Sequence, residues 1–272
     1  MKKHSAYSNL LQFNIFDGFN NIQHFSTTRD GGVSKGEYSS FNMGNFSDDS
    51  PINIHENRTR LATMFFMNLD RFIIPHQTHG TTVLKIDEDF LKLDTHDAVN
   101  KLYGVDGVIT NIPKLFLCVT TADCVPVIMY DTKNEAIAAV HSGWKGTSGN
   151  IVKKAVNMMK DEYGTFPQNL LVGIGPAISM NNYEVGNEVI EIFDQNGFDI
   201  KDERLFVKNE KSSKYHIDLK EVVRQELLSM GVHEANIEKS DLCTYDNEEL
   251  FFSARRQSIH SGRMLTGIMI GN

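Results

Sequence analysis

The sequence predicts a mixed α/β (α+β) fold, with packed sheets flanked by helices and residues 1–272 forming a single domain. Three observations predict it. A chain of 272 residues that is 40% hydrophobic and 23% charged can bury a full core. No internal repeat or Pro/Gly/Ser-rich linker divides it. Short β-prone runs follow one another and then mix with helical patterns, with a hairpin among them, where a strictly parallel fold would alternate strand and helix.

The first helical pattern covers residues 54–68, where Leu61, Met64, Phe65 and Asn68 keep helical spacing and Asn53 stands as a cap before Glu56. Strand-like runs follow at Arg71–Pro75, Thr82–Ile86, Val105–Thr110, Leu115–Thr121, Val125–Tyr130 and Glu135–His141. Asn150 can cap a helix through Tyr163, Asn169–Gly175 reads as a buried strand, and Tyr183–Asn196 reads as a helix. Asp218, with Glu221 three positions on, starts a capping box for a helix that stops at Gly231. Met264–Ile270 reads as a closing strand.

Charge and leader pattern exclude several classes. The 27 Lys and Arg against 35 Asp and Glu leave a net charge of −8, a field that repels nucleic acid but still admits a small anion in a locally basic cleft. After Met1-Lys2-Lys3, the polar Ser5, Asn9, Gln12 and Asn14 deny an apolar secretion core, and no run is long enough to span a bilayer, so a cytoplasmic, membrane-free protein is expected. Three cysteines are no disulfide framework: Cys118 sits in an apolar run and reads as core, and Cys243 beside Thr244 reads either way, as core or as a functional thiol. Nothing in the pattern specifies an oligomeric state.

The segment 122–141 carries the chemistry. Asp131–Asn134 is turn material between two strand-like runs, and pairing Tyr130 with Glu135 places Cys124 opposite His141. Opposed residues of an antiparallel pair have Cβ atoms about 4.5–5.5 Å apart, a gap that one metal ion bridges. A third ligand comes from His76-Gln77-Thr78-His79-Gly80, where either His76 or His79 can supply it. Three protein ligands leave one coordination position open, as catalytic zinc requires. Singly, Cys124 is an ordinary small core residue; jointly, Cys124 and His141 end strands, with Gly143 and Gly146 just beyond to let backbone approach a ligand. The same pair also suits a metal-free Cys–His hydrolase or deamidase, with Cys124 as nucleophile. Asp123, beside Cys124, is a candidate general base or anchor; in an alternating strand its side chain faces away from the metal, which favours anchoring elsewhere.

His76-Gln77-Thr78-His79-Gly80, Ala122-Asp123-Cys124, His141-Ser142-Gly143-Trp144-Lys145-Gly146, Gly173-Ile174-Gly175-Pro176 and Tyr183-Glu184-Val185 together resemble the successive motifs of the laccase-domain proteins. That family was first described as multicopper polyphenol oxidases and then as purine nucleoside phosphorylases with adenosine deaminase activity. The resemblance starts at Thr28-Arg29-Asp30-Gly31-Gly32-Val33-Ser34, continues through Asn42 and Glu56-Asn57-Arg58, and ends at Phe252-Ser253-Ala254-Arg255-Arg256 and Ser261-Gly262-Arg263. It implies a fold similar to the catalytic domain of cytotoxic necrotizing factor toxins. It also implies a metal site of His79, Cys124 and His141, leaving His76 as an outer neighbour or a surface group.

Under that resemblance the expected activity is zinc-dependent phosphorolysis of adenosine, inosine, guanosine and 5′-methylthioadenosine, with deamination of adenosine. His79, Cys124 and His141 are the expected catalytic and metal residues, and Arg29, Asn42, Arg58 and Lys145 the expected contacts for nucleoside and phosphate. Arg255, Arg256 and Arg263 are singled out by the resemblance alone. The chain departs from the family at Lys145, Ala177 and Ser261, where Arg, Cys and Thr are usual; Lys145 offers a point charge where Arg offers a bidentate fork. Copper is an alternative occupant, favoured by its place in the Irving–Williams order, but 10 histidines without a His-x-His pair are a poor inventory for a multicopper oxidase.

Overall fold

Two six-stranded sheets stack face to face, and the computed structural model describes them within residues 1–45 and 47–271. In the first sheet the strands run Lys2–Lys3, Leu10–Gln12, Ile22–Thr27, Met264–Ile270, Phe116–Thr121 and Phe72–Ile73, antiparallel except for the last pair. In the second they run Ile237–Lys239, Leu170–Ile174, Val125–Asp131, Ala136–Ser142, Gly107–Thr110 and Val83–Lys85, with a parallel pair at each edge. A small sheet of Glu184–Val185, Tyr215–Ile217 and Phe206–Lys208 stands apart from both.

Strict side-chain alternation assigns each strand residue to a layer. Ile128, Tyr130, Ile137 and Ala139 of the second sheet meet Leu117, Val119 and Ile268 of the first, forming the core between sheets. Val125, Val127, Met129, Ala138 and Val140 face the other way, under the helices Ile151–Tyr163, Asn187–Gln195 and Leu219–Ser229. The outer face of the first sheet, with Phe25, Phe116 and Cys118, is covered by Leu61 and Ala62 of the helix Pro51–Met64. Strands covered on both faces read as unbroken apolar runs. Cys118 is core, as its surroundings in the sequence predict, and burial pushes its thiol far up.

The 125–142 hairpin forms with a register two residues away from expectation. Asp131 pairs with Ala136, Tyr130 with Ile137 and Pro126 with His141. Asp131 stays in the ladder because its buried carboxylate accepts hydrogen bonds from the backbone N–H groups of Lys133 and Asn134 and from Asn134 Nδ2, at 2.9, 3.2 and 2.9 Å. The loop is therefore residues 132–135, with Glu135 at φ 50°, and Glu135 is not a strand residue. An even shift preserves faces, so His141 keeps its expected side although Cys124 is not its direct partner.

Other boundaries move for local reasons. The first helix starts at Pro51, which is preset for a first helical turn, so Asn53 lies inside it and Ser50 holds the cap position. Tyr183–Asn196 divides into the strand Glu184–Val185 and the helix Asn187–Gln195. Asn150 occupies the cap of its helix in a left-handed conformation without a side-chain cap bond, whereas Asp218 accepts from Glu221 N as expected. Among the described residues no helix is long and apolar enough to cross a membrane.

Glu226 lies in the helix layer, 8% exposed, with Oε1 lacking a hydrogen-bond partner, and burial raises its carboxyl to about 7. A folded-state value above the ordinary 4.5 gives stability that is fully present below 4.5 and lost as pH rises through 7. Glu226→Gln is therefore expected to raise stability by up to about 3 kcal/mol at pH 8.5 and by almost nothing at pH 4. Urea denaturation at both pH values checks this; an equal effect at both would remove the charge as its cause.

Candidate metal centre

At one end of the gap between the sheets the chain crosses from one to the other. Phe116–Thr121 ends in the first sheet, Val125–Asp131 begins in the second, and residues 122–124 make the crossing. Asp123 turns the corner at φ 83°. Its carboxylate accepts from Thr244 Oγ1 at 2.6 Å, Ser253 Oγ at 2.9 Å and the Arg255 N–H at 2.6 Å, tying two later loops to the crossing. Asp123 thus anchors two loops from a bend rather than from an alternating strand, and it lines the same cavity as Cys124.

His79, Cys124 and His141 place one donor atom each within 4.8 Å of one another. Their elements differ: His141 lies on the Ala136–Ser142 strand, Cys124 on the crossing and His79 in a turn at φ 61°. The two rings stand edge to face with centroids 4.9 Å apart. A Cβ on Gly143 would come to 3.0 Å from Cys124 Sγ and 3.2 Å from His79 Cδ2, so a larger residue there would crowd the cluster. His76 is turned elsewhere, its ring 4.4 Å from that of Tyr103.

Asp106 organises the cluster, and sequence reasoning passed it over. It precedes the Gly107–Thr110 strand, is fully buried, and accepts from His141 Nδ1 at 2.8 Å. The same carboxylate accepts from the backbone N–H groups of Thr78, His79 and Gly80 at 3.3, 3.0 and 2.7 Å. One acid thus orients both histidines, and it leaves His141 Nε2 free for the cluster. An aspartate inside the otherwise apolar run Val105–Thr110 was the available signal.

The electrostatics follow from these contacts. Burial alone would raise the Asp106 carboxyl, but the His141 ring and the N–H groups of Gly80 and Thr78 outweigh it and hold it low. Burial also opposes ionisation of Cys124, yet His141 and His79 bring its thiol down to about 6. His141, against its own burial, is raised to about 9 by the Cys124 thiolate and Asp106. A thiolate and two imidazoles, one buttressed by a carboxylate, form a donor set that suits zinc or another borderline-soft metal ion.

The cluster opens onto a cavity of about 430 Å³. Gln77, Thr120, Asp123, Tyr183, Arg255 and Arg263 contribute to its walls. Gln77 is another residue the sequence did not flag: its amide exchanges hydrogen bonds with the backbone of Thr120 at 2.8 and 2.7 Å, pinning the histidine turn to the first sheet. Arg263 donates through Nη1 to the Ser261 and Gly262 carbonyls, and Arg255 lies over the Tyr183 ring at 5.2 Å.

The four expected nucleoside and phosphate contacts are engaged outside this cavity. Arg29 donates to the carbonyls of Ser39 and Glu248 and lies 4.9 Å from the Phe252 centroid. The Asn42 side chain bonds Ser47, Asp49, Gly44 N and Arg263 N, so it shapes the segment behind Arg263. Arg58 donates twice to the Met43 carbonyl, and the exposed Lys145 keeps its amine 5.5 Å from the Trp144 ring. Arg256 is held by the Tyr245 and Phe251 carbonyls. Cys243 is buried and accepts from Ser179 N at 3.3 Å.

Residues 23–271 match the family described as multi-copper polyphenol oxidoreductase laccase. Among relatives, the chain is 42% identical to a purine nucleoside phosphorylase of Bacteroides thetaiotaomicron, over 96% of each protein. It is 37% identical to adenosine deaminase RL5 of an unknown prokaryotic organism, over 91% of this chain and 93% of that one. The crystal structure of YlmD from Geobacillus stearothermophilus superposes with a TM-score of 0.89 at 30% identity, covering 100% and 99% of the two chains.

Proposed function

The chain belongs to the multi-copper polyphenol oxidoreductase laccase family, and from that membership and its site we propose that it is a zinc-dependent purine nucleoside phosphorylase that also deaminates adenosine. The observation that carries this reading is the convergence of His79, Cys124 and His141 on one cavity, with Asp106 behind them. Relatives named purine nucleoside phosphorylase and adenosine deaminase support an enzyme of purine nucleoside chemistry. The proposed substrates are adenosine, inosine, guanosine and 5′-methylthioadenosine, for which a cavity of about 430 Å³ lies within the range of small-molecule sites.

When bound, the ion supplies Lewis acidity at the position its three protein ligands leave open. The chain's own groups divide the remaining work. Arg263 and Arg255 bring positive charge to the cavity wall, where phosphate must approach C1′ of the sugar, and Tyr183 offers an aromatic face to the base. Asp106 keeps the His141 proton on Nδ1, so that Nε2 faces the cluster.

Phosphate is a reactant only when the glycosidic bond breaks. Adenosine with phosphate is expected to give adenine and ribose 1-phosphate, whereas inosine forms by deamination whether or not phosphate is present. Arg263→Ala is then expected to slow phosphorolysis about ten- to a hundredfold, the loss of a charge-assisted contact, and to slow deamination much less. Chromatography of the products with and without phosphate is the test. Adenine released without phosphate would replace phosphorolysis with hydrolysis, and equal loss of both activities would remove Arg263 from the phosphate site.

One observation favours a second reading. Cys124, His141 and Asp106 also stand in the order of a nucleophile, its base and the group that orients the base, with Cys124 ionised near neutral pH. A metal-free hydrolase would use them so. Polyphenol oxidation by copper finds less support: among the described residues the other metal-capable cluster, Asp94, His96 and Asp97, lies on the surface with all three residues exposed, and oxygen reduction by several coppers needs more histidines than one triad provides.

A further inference from the structure

A second cavity, of about 700 Å³, lies away from the metal cluster. One wall is the segment Leu69–Ile74, which includes the Phe72–Ile73 strand at the edge of the first sheet. The facing wall is the pair of helices Glu88–Leu91 and Thr95–Lys101. Leu69, Phe90, Leu93, Val99 and Leu102 give it an aliphatic and aromatic side, and Asn45, Asp70, Arg71 and Thr95 add polar groups. Arg58 reaches the same cavity from the first helix.

Arg58 is the anomaly. Its Nε and Nη2 both donate to the Met43 carbonyl, at 3.0 and 2.6 Å, and among the described residues no carboxylate lies within ion-pair distance of it. The acidic group that bears on it is Cys118, a thiol that burial keeps protonated. Desolvation brings the guanidinium down to about 10, still charged at neutral pH. A partly buried cation without a counter-ion is disfavoured, and an anionic partner offsets that. Asp70 and Arg71, both exposed, add one charge of each sign to the cavity wall.

We propose that this cavity binds an apolar monocarboxylate, with its head group on Arg58 and its hydrocarbon body between the edge strand and the two helices. The site is independent of the proposed nucleoside chemistry. Phosphate could meet Arg58 but would leave the aliphatic and aromatic side of the cavity without a partner, so a carboxylate with a hydrocarbon body fits the whole cavity better. The charge of Arg58 in turn disfavours an uncharged chain, which would leave the cation unpaired.

Calorimetric titration of the full-length protein with decanoate, decanol and inorganic phosphate separates these cases. Decanoate is expected to bind with one-to-one stoichiometry and decanol and phosphate at least tenfold more weakly. Arg58→Met is expected to weaken decanoate about ten- to a hundredfold. Val99→Asp, at a residue 62% exposed on the opposite wall, is expected to weaken it too, and tests the site should Arg58→Met not fold. Decanol binding as tightly as decanoate, phosphate binding in its place, no heat with decanoate, or full affinity retained in the variant that folds would each overturn the proposal.

Discussion

Cys124→Ala is expected to leave the protein folded, without its metal, and slower by about a thousandfold or more in both phosphorolysis and deamination, the equivalent of about 4 kcal/mol of transition-state stabilisation. Cys124 is the anionic member of the cluster, and its thiolate is what distinguishes the site from a pair of neighbouring imidazoles. Two histidines alone make a weak site for zinc, which in catalytic centres takes three protein ligands. Removing Sγ leaves a small gap beneath Gly143 rather than an unpaired buried charge, so the fold should tolerate the change. His141→Ala is expected to lose the metal similarly, but at a cost in stability, because, among the described residues, the buried Asp106 carboxylate loses its only ring partner and keeps only backbone N–H donors. Elemental analysis beside product chromatography distinguishes the readings. A metal-free wild type whose activity disappears in Cys124→Ala would make Cys124 a nucleophile, and full metal occupancy in both variants would eliminate the triad as the site.

Much of the frame is legible in the sequence because buried strands announce themselves. Val125–Asp131 and Ala136–Ser142 are apolar on both faces, and the polar tetrad between them marks a turn. The register is not legible, because it depends on the Asp131 carboxylate capping the loop, and either pairing keeps the same faces inward. Cys124 and His141 stand out locally for the same reason: each lies where an apolar run ends. His79 does not, since the choice between it and His76 depends on Asp106 gathering three successive N–H groups from a segment 26–28 positions earlier. Arg255 and Arg263 reach the cavity through loops tied by Asp123 and Asn42, contacts between residues more than a hundred positions apart. Motif resemblance identifies such arginines without ranking them. Arg29 and Lys145 looked equivalent in the sequence, and only the packing shows that Arg29 is engaged by carbonyls and that Lys145 rests on its neighbouring tryptophan.

Asp106→Ala is expected to weaken metal binding by at least about ten- to a hundredfold, the usual effect of removing a carboxylate behind a ligand histidine. The effect should lie at the upper end, because Asp106 serves both histidines: it accepts from His141 Nδ1 and also from the N–H of His79 and its neighbours. The pH dependence gives an independent readout. Without metal, His141 is raised to about 9 and Cys124 lowered to about 6, so between those values the thiolate is ready to ligate but the imidazole must first lose a proton. Metal binding should therefore release about one proton at pH 7.5, and affinity should rise roughly tenfold per pH unit toward pH 9. Asp106 is one cause of the raised value, and its loss lowers the His141 pKa. In Asp106→Ala, proton release at pH 7.5 should shrink and the pH slope should flatten, even as the overall affinity falls. Chelator competition across pH 6.5–9, with calorimetry in buffers of different ionisation enthalpy, measures both quantities. Wild-type affinity with wild-type proton release in the variant would show that Asp106 supports only the fold, whereas weaker binding with an unchanged slope would mean that it positions His79 and leaves the protonation of His141 to Cys124.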